Sequence, residues 1–301
     1  MITEISKSSS DAITRAYLDS LLLEVRHLDS CMPDTSVEIF GRRFSAPIMT
    51  GALSHLNKQR ENGMAEYARG AALADMISFS GMGGDDEIAA MTATGASVIK
   101  IVKPYADRAE VVRRLRFAES CGCLAVGMDI DHAFAYGNDK YDEIDGMAMF
   151  PVTTDELRGF VESVNVPFVV KGVLSRHDAR RCLEAGVSGI VISHHNGRLN
   201  YAVPPLMILP EIIDEVGGKM KIFVDCAIQS GTDVLKALAL GADACCVGRP
   251  LMQPLRENGA EGVAEHLRGI QRELTYAMAM TCSPDISKID PSIVHKTTFT
   301  W

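Results

Sequence analysis

The chain has 301 residues, 47% hydrophobic and 23% charged, with a formal net charge of −9. That composition supplies one large core and argues against nucleic acid or an anionic membrane surface as a partner. No run approaches the roughly 18 apolar residues of a membrane span, the polar opening Met1 to Asp11 reads as no secretory signal, and eight scattered cysteines without zinc-finger spacing suggest reduced thiols in the cytoplasm and no metal site.

Residues from about 11 to 29 read as an amphipathic helix. Eight short apolar runs follow: Ala46–Thr50, Met76–Ser80, Ser97–Ile101, Leu124–Asp129, Pro167–Gly172, Gly189–His195, Lys221–Ala227 and Ala244–Pro250. Being apolar on both faces, they suit a parallel sheet. The segments between them have helical spacing, as in Arg108–Cys121 and Thr154–Val164. Ser175 with Asp178 and Ser230 with Asp233 stand at capping-box-like spacing, with Gly186 and Gly241 as stops. Alternating strands and helices without a Gly-x-Gly-x-x-Gly turn predict a (β/α)8 TIM barrel rather than an open doubly wound sheet. The chain then reads as a single domain over 1–301, with the barrel over about 46–275. The polar tail 283–301 reads as a docking arm or a mobile extension.

A barrel places its chemistry at the carboxyl ends of the strands. Those ends offer Gly51 and Ala52, Ser80, Lys100 or Lys103, Asp129 with Asp131 and His132, Lys171, His194 with His195 and Arg198, Asp225, and Gly248 with Arg249. Lys100 and Lys103 differ by three, so only one can face the pocket from a regular strand. His195 and Arg198 set a proton acceptor beside a planar cation, which suits a carboxylate substrate that must lose a proton. The turn from Asp225 to Asp233 and the pair Gly248-Arg249 could hold a phosphate monoester through backbone amides and one guanidinium. The methionines Met147 and Met149 with Phe150 suggest either a lid or an ordinary packed loop.

The stretch Val170-Lys-Gly-Val through Ser193-His-His-Asn-Gly-Arg198, the pair Val203-Pro204, and Gly231-Thr-Asp-Val-Leu-Lys-Ala through Val247-Gly-Arg-Pro250 resemble the FMN-dependent 2-hydroxy-acid oxidase/dehydrogenase family. The resemblance implies FMN at the carboxyl rim, a small carboxylate substrate and a homotetramer. It implies that His195 takes the substrate hydroxyl proton while a hydride equivalent passes to flavin N5. Asp129 would orient that histidine, and Arg198 would clamp the substrate carboxylate. Lys171 would stand near flavin N1 and O2. Gly51, Ala52, Leu53 and Ser80 would contact the isoalloxazine ring, and Asp225, Ala227, Gly248 and Arg249 the ribityl and phosphate groups. His194, Lys103 and His132 are further candidates for the substrate pocket.

The chain also departs from the family pattern. His194 and Asn196 stand where the family reads Ser-Asn-His-Gly-Gly-Arg. The phosphate loop reads Asp225-Cys-Ala-Ile-Gln229 in place of Asp-Gly-Gly-x-Arg, so one arginine is lost. Strand 3 shows no glutamine or tyrosine in register. Two other functions stay open on the residues: a metal-dependent barrel lyase or isomerase using Asp129, Asp131, His132, His194 and His195, and a non-catalytic flavin-binding barrel.

Overall fold

All eight apolar runs become parallel strands in a computed structural model that describes residues 9–135, 137 and 139–297. They are β1 (Ile48–Thr50), β2 (Ser78–Ser80), β3 (Val98–Val102), β4 (Ala125–Asp129), β5 (Phe168–Val173), β6 (Gly189–Ile192), β7 (Lys221–Val224) and β8 (Ala244–Val247). The sheet order is β1-β8-β7-β6-β5-β4-β3-β2, and a parallel bridge from Met49 to Ile77 closes it. This is the expected (β/α)8 barrel. β6, β7 and β8 stop three residues before the end of their apolar runs, which turn out there into the rim loops, while β3 and β5 run one residue past theirs.

The helices are α1 (Ser9–Ser20), α2 (Gly63–Leu73), α3 (Asp85–Ala93), α4 (Arg108–Ser120), α5 (Thr154–Glu162), α6 (Arg176–Glu184), α7 (Pro205–Val216), α8 (Gly231–Ala239) and α9 (Met252–Met280). The predicted caps are present. Ser175 and Ser230 accept from the amides of Asp178 and Asp233. Gly186 and Gly241 take the positive φ that ends a helix.

Strand alternation divides the core in two. Met49, Ile77, Phe79, Ile99, Ile101, Ala125, Val169, Val191, Phe223, Ala244 and Cys246 form one buried cluster inside the barrel. The residues between them pack outward against the helices. Continuing the inner parity past each strand's end selects Gly51, Gly81, Lys103, Asp129, Lys171, Ser193, Asp225 and Gly248. The sequence positions that build the uppermost inner layer are therefore fixed by counting in twos.

The N-terminal helix is shorter than expected. The amphipathic helix ends at Ser20, and Leu21–Leu23 instead forms a strand paired antiparallel with Val294–Lys296. The three leucines have no polar alternation to sustain a helix face, and their backbone is satisfied by the tail. The described part of the tail is thus docked on its own chain, with Ile293 fully buried; residues 298–301 lie outside the described residues.

Gly127 sits mid-strand in β4, where an added Cβ would lie 1.8 Å from the carbonyl oxygen of Val169. That oxygen belongs to the neighbouring strand and cannot move without opening the barrel. Gly127→Ala should destabilise the protein by about 1–3 kcal/mol, read by denaturant unfolding; an unchanged midpoint would show that the barrel wall yields at this position.

Candidate active site

The uppermost inner layer carries four charges of alternating sign. Lys103 Nζ lies 2.5 Å from Asp129 Oδ2, Lys171 Nζ lies 3.5 Å from Asp129 Oδ1, and Lys171 lies 3.7 Å from Asp225 Oδ2. Lys171 and Asp129 are direct partners across the β5–β4 pair. All four groups are buried or nearly so, so each needs its neighbour. Burial pushes the Asp129 carboxyl up, but Lys103, Lys171 and His195 outweigh it and hold it well below the usual carboxylate range. Burial pulls the Lys171 ammonium down, but Asp129 and Asp225 outweigh it and its net shift is upward. Both therefore stay charged.

Lys103 faces this layer and Lys100 does not. Lys100 shares its parity with Val98 and Val102, on the helix side, and its Nζ donates to Ser80 Oγ at 3.2 Å and to the Gly81 carbonyl. Ser80 has the same outward parity. It is buried against Lys100 and does not line the cavity, so the proposed ring contact is not where the structure places it. Gly81 holds the inward position.

His195 lies just beyond β6 in a turn of three consecutive left-handed residues, His195 (φ 48), Asn196 (φ 58) and Gly197 (φ 82). Its amide donates to Ser193 Oγ at 3.0 Å. Its Nδ1 stands 2.9 Å from Asp131 Oδ1 and 3.8 Å from Asp129 Oδ1. The carboxylate that orients His195 in this geometry is Asp131, not Asp129. The reason is local: Asp129 ends a strand and points inward onto the lysines, while Asp131 lies past the strand, where the chain is free to turn its side chain to His195. Burial pushes the Asp131 carboxyl up, but His195 outweighs it and the net direction is down. An ionised Asp131 only accepts, so Nδ1 is the donor and Nε2 is left with the lone pair.

His194 turns the other way. Its Nδ1 accepts from the Gly197 amide at 3.1 Å, so Nε2 carries the proton and donates to Thr14 Oγ1 of α1 at 2.8 Å. It is a buried strut between β6 and α1 and not a pocket group. His132 does flank the site, its ring edge-on to His195 at 4.8 Å between centroids. His132 Nδ1 lies 3.1 Å from Asp142 Oδ2, and Arg198 Nη2 donates to the same oxygen at 3.0 Å and to the Phe134 carbonyl. Asp142 thus ties Arg198 and His132 together, a contact no local sequence signal announces. Met149 is fully buried and bridged to Tyr105 just past β3, and Met147 is half-buried in the hairpin before it, so the two methionines pack as an ordinary loop while Phe150 stays exposed.

A cavity of about 950 Å³ opens on the carboxyl rim. Gly51, Ala52, Leu53, Lys171 and His195 line it on one side, and Asp225, Ala227, Gln229, Gly248 and Arg249 on the other. Cys226 also lines it, but its thiol donates to Asp225 Oδ1 at 2.8 Å. Burial first, then Asp225, pushes that thiol far up, so it is protonated and inert. Helix α1 closes the outer end with Asp11, Ala12 and Arg15. Asp129, Asp131 and His195 come close enough to share a cation. Lys103 and Lys171 already supply the countercharge there, and His132 and His194 are engaged elsewhere, which disfavours the metal reading.

Two outcomes follow from these charges. Lys171→Met would leave Asp225 unpaired and Asp129 with one lysine, and should cost about 3–5 kcal/mol of stability. Urea unfolding of the ligand-free protein checks this, and a loss below about 1 kcal/mol would mean the layer is not interdependent. The second concerns His132, pulled down from 6.5 to about 4 by burial first and then by Lys103, His195 and Arg198. Between these values the unfolded chain binds the proton and the folded one does not, so stability falls as pH drops from 6.5 towards 4. His132→Asn should flatten that slope in pH-dependent thermal unfolding; an unaltered slope would place the titration elsewhere.

Comparison with known proteins bears on this geometry. The family described as FMN-dependent dehydrogenase matches residues 4–152 and 137–296. The chain is 31% identical to 4-hydroxymandelate oxidase of Amycolatopsis orientalis over 82% of this chain and 78% of that protein. It is 28% identical to human 2-hydroxyacid oxidase 1, over 87% and 82% respectively. A 40% identical match to an L-lactate oxidase of a Roseobacter species spans 50% of this chain and 41% of that enzyme. Among solved structures, mandelate oxidase with (S)-2-phenylpropionate superposes with a TM-score of 0.86 at 28% identity, covering 97% of this chain and 90% of that one. A mandelate oxidase variant carrying a monooxide FMN adduct gives 0.85, covering 97% and 92%. With its barrel and nearly its whole length matched, the chain belongs to the FMN-dependent dehydrogenase family.

Proposed function

We propose that the chain oxidises a small 2-hydroxy acid to the 2-oxo acid, with FMN in the rim cavity and His195 as the base. The observation that carries this reading is His195, oriented by Asp131 through Nδ1 and seated on a cavity floored by Lys171.

The residues present fit FMN. The cavity is in the size range of cofactor sites. Its Gly51-Ala52-Leu53 wall is apolar and shallow, and an added Cβ on Gly51 would lie 2.8 Å from the Gly248 Cα, so bulk is excluded where β1 and β8 meet. Lys171 offers a permanent cation to the polar edge of a flavin ring. Gly248 and Arg249 offer a backbone turn and a guanidinium to a phosphate. FMN, when bound, supplies the acceptor for the two electrons that leave the substrate carbon.

The chain's own part is proton handling and orientation. Nε2 of His195 accepts the substrate hydroxyl proton, and Asp131 stabilises the imidazolium that results. The negative charge of Asp129 stays with its lysines and adds to that field from 3.8 Å. Arg198 is the nearest guanidinium in sequence to the base and is the candidate for the substrate carboxylate. Asp142 already holds one edge of it, so the acid must bind alongside or displace an internal carboxylate. That arrangement favours a substrate with a further polar group for His132 or Lys103. The eight free cysteines fit a reducing cytoplasm, and a homotetramer is the assembly the family resemblance suggests.

Anaerobic bleaching of the FMN-loaded protein against a panel of 2-hydroxy acids tests the reading, and readmission of oxygen then identifies oxidase character. His195→Gln should keep FMN bound and slow bleaching by about 10²–10⁴-fold. Asp131→Asn should slow it more than Asp129→Gln does at equal FMN occupancy. Bleaching at the parent rate in His195→Gln would exclude His195 as the base.

A further inference from the structure

The outer end of the cavity holds a carboxylate where an anion is wanted. The loop after β7 has Gln229 in place of an arginine, so the cations there are Arg15 and Arg249. Arg15 is not a substitute. All five of its N–H groups are engaged: by Asp19 through Nε and Nη2, by Asp233 through both Nη atoms, and by the Ala227 carbonyl through Nη1. It fixes α1 to the loop and its charge is compensated. Arg249 is different. Its side chain is 55% exposed, and its ion pair is with Asp11 Oδ2 at 2.9 Å. Asp11 comes from the first turn of α1, and its other oxygen, Oδ1, is buried with no hydrogen-bond partner. The pair is weak because solvent screens the exposed guanidinium, and the unpartnered Oδ1 adds a desolvation cost to the position that Asp11 holds.

We propose that Asp11 is an internal competitor for the phosphate of FMN at Arg249, and so sets the affinity of the cofactor. The proposal rests on the FMN reading above. A phosphate monoester carries close to two negative charges and three acceptor oxygens, so it outcompetes a single carboxylate for a planar guanidinium. Asp11 must then swing off Arg249 or be repelled by the incoming dianion. The rest of α1 has its own anchors and need not leave. Ser10 Oγ donates to the Leu199 carbonyl, Thr14 bonds His194, and Arg15 holds Asp233. Asp11 is thus a brake on binding, placed on a strap that stays in position.

The test measures FMN and riboflavin affinity of the apoprotein by flavin fluorescence quenching, for the parent chain, Asp11→Asn, Asp11→Ala and Arg249→Met. Riboflavin has the same ring and ribityl chain without the phosphate. Both Asp11 variants should bind FMN about tenfold more tightly, from loss of the ion pair and of the repulsion, and riboflavin unchanged. In an Arg249→Met background, Asp11→Asn should recover at most a fewfold, from relief of repulsion alone. Unchanged or weaker FMN binding in both Asp11 variants overturns the proposal, as does an equal shift for both flavins. If neither flavin binds the parent chain or any variant, the FMN reading itself fails and the proposal with it. Ligand-free melting temperatures within a few degrees of the parent show that α1 is still seated, so a null result counts against Asp11.

Discussion

The chain of charges Lys103–Asp129–Lys171–Asp225 is the constraint on which the rest of the rim depends. Four ionised groups in a buried layer are costly unless each is paired, and an isolated one costs several kcal/mol. Three contacts between 2.5 and 3.7 Å pair their charges in sequence around β3, β4, β5 and β7, although Asp129 Oδ1 has no hydrogen-bond partner. The chain is also asymmetric. It ends on Asp225 at the cavity wall, with Lys171 lining the cavity just before it. The layer therefore presents one cation to whatever binds, while the acid next to it is already neutralised. A flavin ring that gains negative charge on reduction is matched by that polarity.

His195 is attached to this layer without being part of it. Ser193 has the inward position on β6 and holds the His195 amide, and its hydroxyl lies 3.5 Å from Lys171 Nζ. The chain then turns through three left-handed residues. Asn196 and Gly197 tolerate that conformation well, and His195 less so. The turn carries the imidazole to Asp131 and onto the cavity wall, where a regular continuation of β6 would have pointed it down the barrel axis with Val191 and Ser193. The same device appears after β7. Cys226 (φ 68) and Ala227 (φ 60) adopt left-handed backbone where the family pattern has two glycines. The turn geometry is thus retained at some cost in strain, anchored by Arg15 on the Ala227 carbonyl.

Most of the fold and part of the site were legible in the sequence for one reason: strands alternate. The apolar runs located β1 to β8, and counting in twos from Ile99, Ala125, Val169 and Phe223 reaches Lys103, Asp129, Lys171 and Asp225. The same count turns Ser80, Lys100 and His194 outward, and applying it strictly would have removed Ser80 and His194 from the pocket. What the sequence does not carry is anything that depends on a loop closing across another. Asp131 is two residues from Asp129, yet the alternation lapses once the strand ends, so its partner follows from the turn and not from the count. Asp142 reaches Arg198 across 56 residues and Asp11 reaches Arg249 from the far end of the chain. The pairing of Leu21–Leu23 with the tail was hidden similarly, because a strand needs its partner before it differs from a short apolar helix end.

The N-terminal helix has more to do than extend the barrel. It meets the loops after β6, β7 and β8 through different groups: Ser10 and Thr14 with β6, Arg15 with β7, and Asp11 with β8. Three of these contacts join it to the wall, and they are hydrogen-bonded or doubly paired. The fourth leaves a buried carboxylate oxygen unsatisfied. A uniformly stabilising strap would not contain that defect, since an unpaired buried acceptor weakens the element that carries it. It is tolerated because the Asp11 carboxylate rests on the guanidinium that a phosphate would engage. A helix that only closed the barrel could carry an alanine there; one that adjusts how firmly the cavity holds its anion needs an acid.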